Sequence, residues 1–450
     1  MRPNTFSVLK REHKEAIGLL QIGTFLEYFD LMLYVHMAFL LNDIFFPKTD
    51  PHTAALLTAF AFCSTYVLRP IGGLFFGFIG DYIGRKMTVI ISSMMMGLSC
   101  ILMASLPTYA EIGITAAWGV TFCRILQGLA CQGEIIGAEI YLIEITKPPL
   151  RYPIVAFCSF FASLGGMLAL GLTVLLFFLK IDWRLAFWIG AGISSIGFIA
   201  RTRLRETPEF LKMKARRQLE KSLEKNTSSI ILTQGNGTGN EKINKSTLMA
   251  YFLISCGYPA CFYLAYMHFG TILKTDYGYT SEQLIHHNFI LSVVQCLSFL
   301  GYSLLSYVIN PLKILKYRLL IFLPIIALYP YWLSIIDAPM QLLLFQIAII
   351  ALGIMDVPAA GIMMNHFPVL KRFLSTSLAY AFSRMFIYVL TSFGFVYLTD
   401  MFSDWGIWFI MLFLCLGFGW SIRYFEQLEG LIKRSFVSTL WLKLQDRFSI

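Results

Sequence analysis

The sequence predicts an all-α polytopic membrane protein of twelve transmembrane helices in two six-helix bundles, both termini cytoplasmic. Three observations carry this. Of 450 residues, 57% are hydrophobic and only 14% charged, with a mean hydropathy of +0.67, whereas a soluble domain carries roughly 25% charged residues. Apolar runs of the length needed to span a bilayer, about 20 residues, recur near 17–41, 55–79, 88–106, 110–136, 153–179, 185–204, 248–273, 284–309, 318–337, 340–366, 374–399 and 404–424. A polar, basic stretch at 201–247 divides these runs six and six. A β-barrel is excluded, because its strands are short and alternate apolar with polar residues.

The net charge of +10 becomes informative once it is placed. With loops assigned alternately to two sides, 29 of the 36 Lys and Arg fall on the side of the termini and 4 on the other, with Arg69, Arg124 and Arg384 inside spans. Such asymmetry orients both termini to the cytoplasm. It directs the basic surface to anionic membrane lipids, not to nucleic acid. The nine cysteines all fall in apolar runs, with no CxxC pair and no His/Cys cluster. They read as packing residues, and neither a disulfide framework nor a metal site is expected. No cofactor is expected either. The first apolar run is too long for a cleaved signal peptide and contains Glu27 and Asp30. The organisation expected is therefore a first bundle at 1–204, a cytoplasmic basic linker with an amphipathic helix at 205–247, a second bundle at 248–425 and a cytoplasmic tail at 426–450.

In the first span Glu27, Asp30 and Tyr34 recur at i, i+3 and i+7 and share one helix face. Carboxylates inside a membrane helix are costly and point to a bundle interior or a cavity. They read as a proton or substrate site, or as structural charges paired with a neighbouring helix. His36 is a polar residue near the outer end. Arg69 in the second span lies twelve residues before Asp81, or roughly 18 Å at 1.5 Å per residue, near mid-membrane. Between the second and third spans Gly77, Asp81, Gly84, Arg85 and Lys86 form a charged turn. Its small residues let one helix lie close against another, and it reads as a gating loop.

In the fourth span Arg124, Gln127, Cys131 and Glu134 share a face at i, i+3, i+7 and i+10. Glu139 and Glu144 follow, with Glu144 read as a gate partner of Asp81 and Arg85. Trp183 and Trp188 flank a short outer loop, as an interfacial belt does. In the linker Thr207 and Pro208 suit the start of a surface helix over 206–225. In the second half Tyr258, Tyr263, Tyr266 and His268 lie in the seventh span, and Asp356 stands two residues before Pro358 in the tenth. Tyr380 and Tyr388 flank Arg384 by one turn on each side in the eleventh. The stretch 310–318, at the place matching the Asp81 turn, keeps basic charge but has lost the acid and the glycines.

Three mid-depth arginines thus face carboxylates at 27, 30, 134, 139 and 356. Uncompensated charge at that depth costs a few kcal/mol at least. The arginines must pair with these acids, with a substrate carboxylate, or with each in turn. This fits an anionic or zwitterionic solute, with proton uptake by Asp30 or Glu134 releasing an arginine for it. The alternatives are a transport-deficient sensor on the same framework, an exporter, or a facilitator without proton coupling. An enzyme has no support, since no metal-ligand spacing, nucleophile–base pair or phosphate loop is present.

The segments Glu27 to Tyr34, Arg69 to Gly73 and Gly80 to Lys86 carry a family resemblance, as do Leu106 to Tyr109, Arg124 to Gly128 with Glu134, and Arg205 to Phe210. Together they resemble the metabolite:proton symporter family of the major facilitator superfamily, which includes proline/betaine and α-ketoglutarate permeases. In the second half only Phe367-Pro368, Arg372 and Ala379 to Arg384 carry it. The sequence departs from the family pattern at Tyr82, Gln132 and Tyr152. The resemblance implies the major facilitator fold, alternating access, and uptake of a small organic solute with protons by a monomer in a bacterial inner membrane.

Overall fold

The computed structural model describes residues 11–46, 66–226, 243–402 and 404–432, all helices and their connections. The opening of the second expected span, the Gly235–Gly239 part of the linker and the end of the tail lie outside the described residues, as does the side chain of His36. The first half holds α1 (Arg11–Phe45), α2 (Arg69–Phe78), α3 (Arg85–Ser105), α4 (Ile114–Ile145), α5 (Arg151–Phe178) and α6 (Arg184–Thr202). A surface helix, α7 (Pro208–Asn226), follows. The second half holds α8 (Lys245–Thr275), α9 (Ser281–Leu305), α10 (Pro311–Ala327), α11 (Pro339–Leu352), α12 (Arg372–Phe402) and α13 (Asp404–Leu428). Among the described residues eight helices are long and apolar enough to cross a membrane, and α6 and α11 contribute shorter apolar segments.

Local chemistry places the ends. Asn244 caps α8 by accepting from the Ser246 N–H. Thr280 and Gln283 form a reciprocal capping box on α9. Asn310 caps α10 ahead of Pro311, whose missing N–H costs nothing at that position. Within each half the helices pack on one another, α1 on α5 and α6, α3 on α4 and α6, α8 on α12 and α13. The halves meet along two seams, α2 on α12 and α5 on α9.

Two expectations need correction. The tenth span is not one helix over 340–366. It ends at Leu352, and residues 353–359 leave the helix before a short turn, Ala360–Met363. Pro358 has no N–H to donate into a ladder, and backbone unwound at membrane depth needs other partners. Arg318 supplies them. Its guanidinium donates to the Val357 carbonyl at 3.2 Å and to the Gly353 carbonyl, while the Tyr302 hydroxyl donates to the Ala351 carbonyl at 2.8 Å. The same guanidinium lies 4.2 Å from the Tyr302 ring centroid.

The ninth expected span begins, as α10, at Pro311 rather than 318, and Arg318, read as a loop charge, is buried inside it. Arg201, read as a linker charge, is likewise buried at the end of α6.

Arg318→Leu leaves two buried carbonyls without a donor, at about 1–3 kcal/mol each. The detergent-solubilised variant should melt at a clearly lower temperature than the wild type. An unchanged midpoint would show that the break does not depend on the guanidinium.

A central cavity and the contact that closes one end

A cavity of about 660 Å³ lies between the halves. From the first half Tyr34, Arg124 and Glu139 line it, and from the second Tyr258, Asp356, Tyr380 and Arg384. Helical spacing sets the partners of each arginine. Arg124 donates to Gln127 Oε1, one turn on, at 3.0 Å, and its guanidinium stacks 4.1 Å over Tyr34. Arg384 donates to the Tyr380 hydroxyl and to the Ser255 carbonyl, each at 3.0 Å. It lies 4.3 Å from the Tyr380 ring and 5.4 Å from that of Tyr258. Gln295 ties the tyrosines of α8 together, donating to the Tyr258 hydroxyl at 2.7 Å and accepting from Tyr266 at 3.0 Å. Among the described residues the buried ion pairs belong to Arg85, Arg201 and Arg372, and neither Arg124 nor Arg384 has a carboxylate within 4.0 Å. Arg69 is buried beside Cys131, whose sulfur is 3.8 Å away, and 4.5 Å from the Tyr66 ring; it does not line the cavity.

Three of the carboxylates that the sequence brought forward lie elsewhere. Glu134 pairs with Arg201 and accepts from Ser92 at 3.2 Å. The Glu27 carboxyl faces Glu134. Asp30, fully buried, accepts from Ser194 and sits against Gly190. None of the three lines the cavity. Arg201 and Ser194 were not singled out from sequence. Arg201 follows the apolar run so closely that it read as the first charge of the linker, and a serine in an apolar helix carries no signal by itself.

At one end the halves are closed against each other. Asp81 accepts from the backbone N–H groups of Phe373 and Leu374 at 3.2 and 2.9 Å, so a first-half carboxylate caps the N-terminus of α12. Arg85, wholly buried, pairs with Asp81 and with Glu144, each at 3.1 Å, and donates to the Val369 carbonyl at 2.8 Å. Glu144 also pairs with Arg372 at 3.3 Å and accepts from Thr207. Glu206 accepts from the backbone N–H groups of Arg85 and Lys86 at 3.0 and 3.3 Å, and Lys86 Nζ donates to the Thr202 carbonyl at 2.9 Å.

Two glycines are required here. Gly84 has a φ of +147°, and a side chain there would strike Glu206. A Cβ on Gly77 would lie 2.7 Å from Leu374 Cδ1 and 2.9 Å from its Cα.

Gly77→Val should hold this contact open. Spin labels at Tyr82 and Lys371, measured by pulsed dipolar spectroscopy, should report a longer distance than in the otherwise wild-type protein; an unchanged distance would mean that the seam has room to spare. The same labels test a pH dependence. Burial pushes the Asp81 carboxyl up to about 6, against the opposing pull of Arg85 and the two N–H groups. An Asp81 released into water has an ordinary value of about 3.9. The closed contact therefore binds the proton more tightly, so closure should be favoured as the pH falls through about 6. A distance distribution that shifts toward open over that fall would reverse the sign.

Comparison with known proteins places this geometry. Residues 19–306 match the family model described as sugar (and other) transporter. The proline/betaine transporter of Salmonella typhimurium is 33% identical over 204 residues, covering 44% of this chain and 41% of that protein. The inner membrane metabolite transport protein YhjE of Escherichia coli is 37% identical over 208 residues, covering 44% and 47%. The matched stretch thus spans less than half the length of these relatives. Of solved structures, that of the MFS (major facilitator superfamily) proton:xylose symporter XylE with bound 6-bromo-6-deoxy-D-glucose superposes with a TM-score of 0.74 at 14% identity, over 92% of this chain and 95% of that one. The human organic anion transporter MFSD10 gives 0.61 at 14%, over 90% and 100%. At such identity the likeness is one of fold.

Proposed function

Because the chain belongs to the sugar (and other) transporter family, within the major facilitator superfamily, we propose that it takes up a small anionic or zwitterionic organic solute together with protons, by alternating access. It is an integral membrane transporter and not an enzyme. The observation that carries the solute class is the pair of cavity arginines, Arg124 and Arg384, held on tyrosines and amides with no carboxylate in ion-pair range among the described residues. A guanidinium in that setting is a seat for a solute carboxylate, which it binds in a planar two-bond geometry. Tyr34, Gln127 and Tyr380 hold the two guanidinium groups in place. The relative named for proline and betaine supports the class. The structural neighbour named as a proton:xylose symporter supports coupling to protons.

In this reading the chain crosses the membrane twelve times with both termini in the cytoplasm, and the Asp81–Arg85–Glu144–Arg372 contact is the cytoplasmic gate. The closed form described above is then the one shut to the cytoplasm. Arg69 and the Glu27–Glu134–Arg201 cluster lie behind the cavity wall and set the charge balance of the first bundle. The basic linker helix α7 meets the anionic headgroups of the inner leaflet.

The deciding experiment is uptake into vesicles of labelled succinate, citrate, proline and glycine betaine under an inward proton gradient, with and without an uncoupler. Concentrative uptake of one class, lost with the uncoupler, is expected. Uptake that ignores the uncoupler would leave a facilitator. Arg124→Gln and Arg384→Gln each remove a charge-assisted bond of about 1.5–3 kcal/mol, and should lower uptake roughly tenfold or more. Wild-type rates in both variants would remove the arginines from the site.

A further inference from the structure

We propose that Glu139 of the first half and Asp356 of the second together hold the proton that is carried with the solute, beside Arg384. The proposal rests on the reading of the protein as a proton-coupled transporter and locates the proton within it. Among the described residues that line the cavity, these two are the carboxylates. Neither has an ion-pair or hydrogen-bond partner on another side chain among the described residues, although Glu139 is only 7% exposed. The charged and titratable groups that face Glu139 are Asp356, Arg384, Cys158 and Tyr251. Those that face Asp356 are Arg384, Arg318, Tyr251 and Tyr380. Arg384 is thus the cation common to both.

The other buried acids are placed differently. Glu134 has its own cation in Arg201, and Asp30 accepts from Ser194; both lie off the cavity. A proton bound at either one does not free a cavity arginine by direct contact. Glu139 and Asp356 share the cavity with Arg384 and act on it across that space. With both carboxylates ionised, their two negative charges outweigh the one positive charge of Arg384 and repel an incoming carboxylate across a low-dielectric space. One proton, taken from water on the side to which the cavity is open, bonds to a carboxylate oxygen and cancels one of these charges. Arg384 is then available to the solute, and on the opposite side the solute leaves and the proton returns to water. No other group is oxidised, reduced or consumed.

The fold supplies the geometry. Asp356 reaches the cavity because residues 353–359 are unwound, and they are held so by Arg318. Glu139 projects from α4 on the opposing half. The proton seat is made of both halves, as a site that must change with their relative motion needs to be.

The test compares accumulation with exchange, for whichever of succinate, citrate, proline and glycine betaine the wild type accumulates. Glu139→Gln, Asp356→Asn and the double variant should keep exchange of labelled for unlabelled solute across the membrane. They should lose uncoupler-sensitive accumulation, ending at equal concentrations inside and out. Uncoupler-sensitive accumulation by the double variant would overturn the proposal. A wild type that transports but ignores the uncoupler would instead overturn the coupled-transport reading on which it rests. Infrared difference spectra of purified protein between about pH 5 and about pH 9 decide the matter even for a variant that no longer exchanges. The protonated-carboxyl band that titrates in the wild type should shrink in each single variant and shrink furthest in the double one, where Asp81 still titrates. A band unchanged in the double variant would place the proton elsewhere.

Discussion

Charge and unpaired backbone are both expensive in hydrocarbon, and most of what is distinctive in this molecule follows from how that cost is met. The buried arginines show three solutions. Arg85 and Arg372 are answered by the carboxylates of Asp81 and Glu144. Arg318 is answered by carbonyls that a broken helix has left free. Among the described residues Arg124 and Arg384 are answered by aromatic faces, a side-chain amide, a hydroxyl and a backbone carbonyl. The first solution locks, the second shapes the wall, and the third leaves a pair of cations facing a cavity. In the function proposed above, a solute carboxylate completes what the protein leaves partial.

The closing contact is built from different materials than the cavity. Asp81 bonds to backbone N–H groups at a helix start, where positive partial charge collects. Arg85 reaches both its own half, through Glu144, and the other, through the Val369 carbonyl. Glu206, immediately after the last helix of the first bundle, accepts from the first two N–H groups of α3. The linker is therefore part of the lock. In the function proposed above, this contact, with many short directional bonds and Gly77 allowing α2 to touch α12, is made in one state and broken in the other.

Much of this was legible from composition and spacing. Long apolar runs become helices because hydrocarbon leaves the backbone no other way to satisfy itself, so the helices fall close to the expected runs. Arg124 with Gln127, and Tyr380 with Arg384, were placed on common faces by helical period alone, and they are in contact as that period requires. Ends were less legible. A charge at the edge of an apolar run reads as a loop residue, whereas Arg201 and Arg318 are drawn inward by Glu134 and by the carbonyls of 353 and 357. Asp356 beside Pro358 signalled an irregular helix, but not that the irregularity would be held by a residue on another helix.

The sequence by itself determined the membrane character, most of the helices and the buried arginines at mid-span, Arg69, Arg124 and Arg384, because these depend on local composition and on the 3.6-residue period. Only the tertiary structure decided which charges meet. Glu27, Asp30 and Tyr34 share a face by spacing, yet Tyr34 lines the cavity while the two acids sit in separate packed clusters. Glu139 and Asp356, over two hundred residues apart, come to one cavity with Arg384. Pairing of this kind is set by how the two halves close on each other, and no local pattern encodes a distance across that seam.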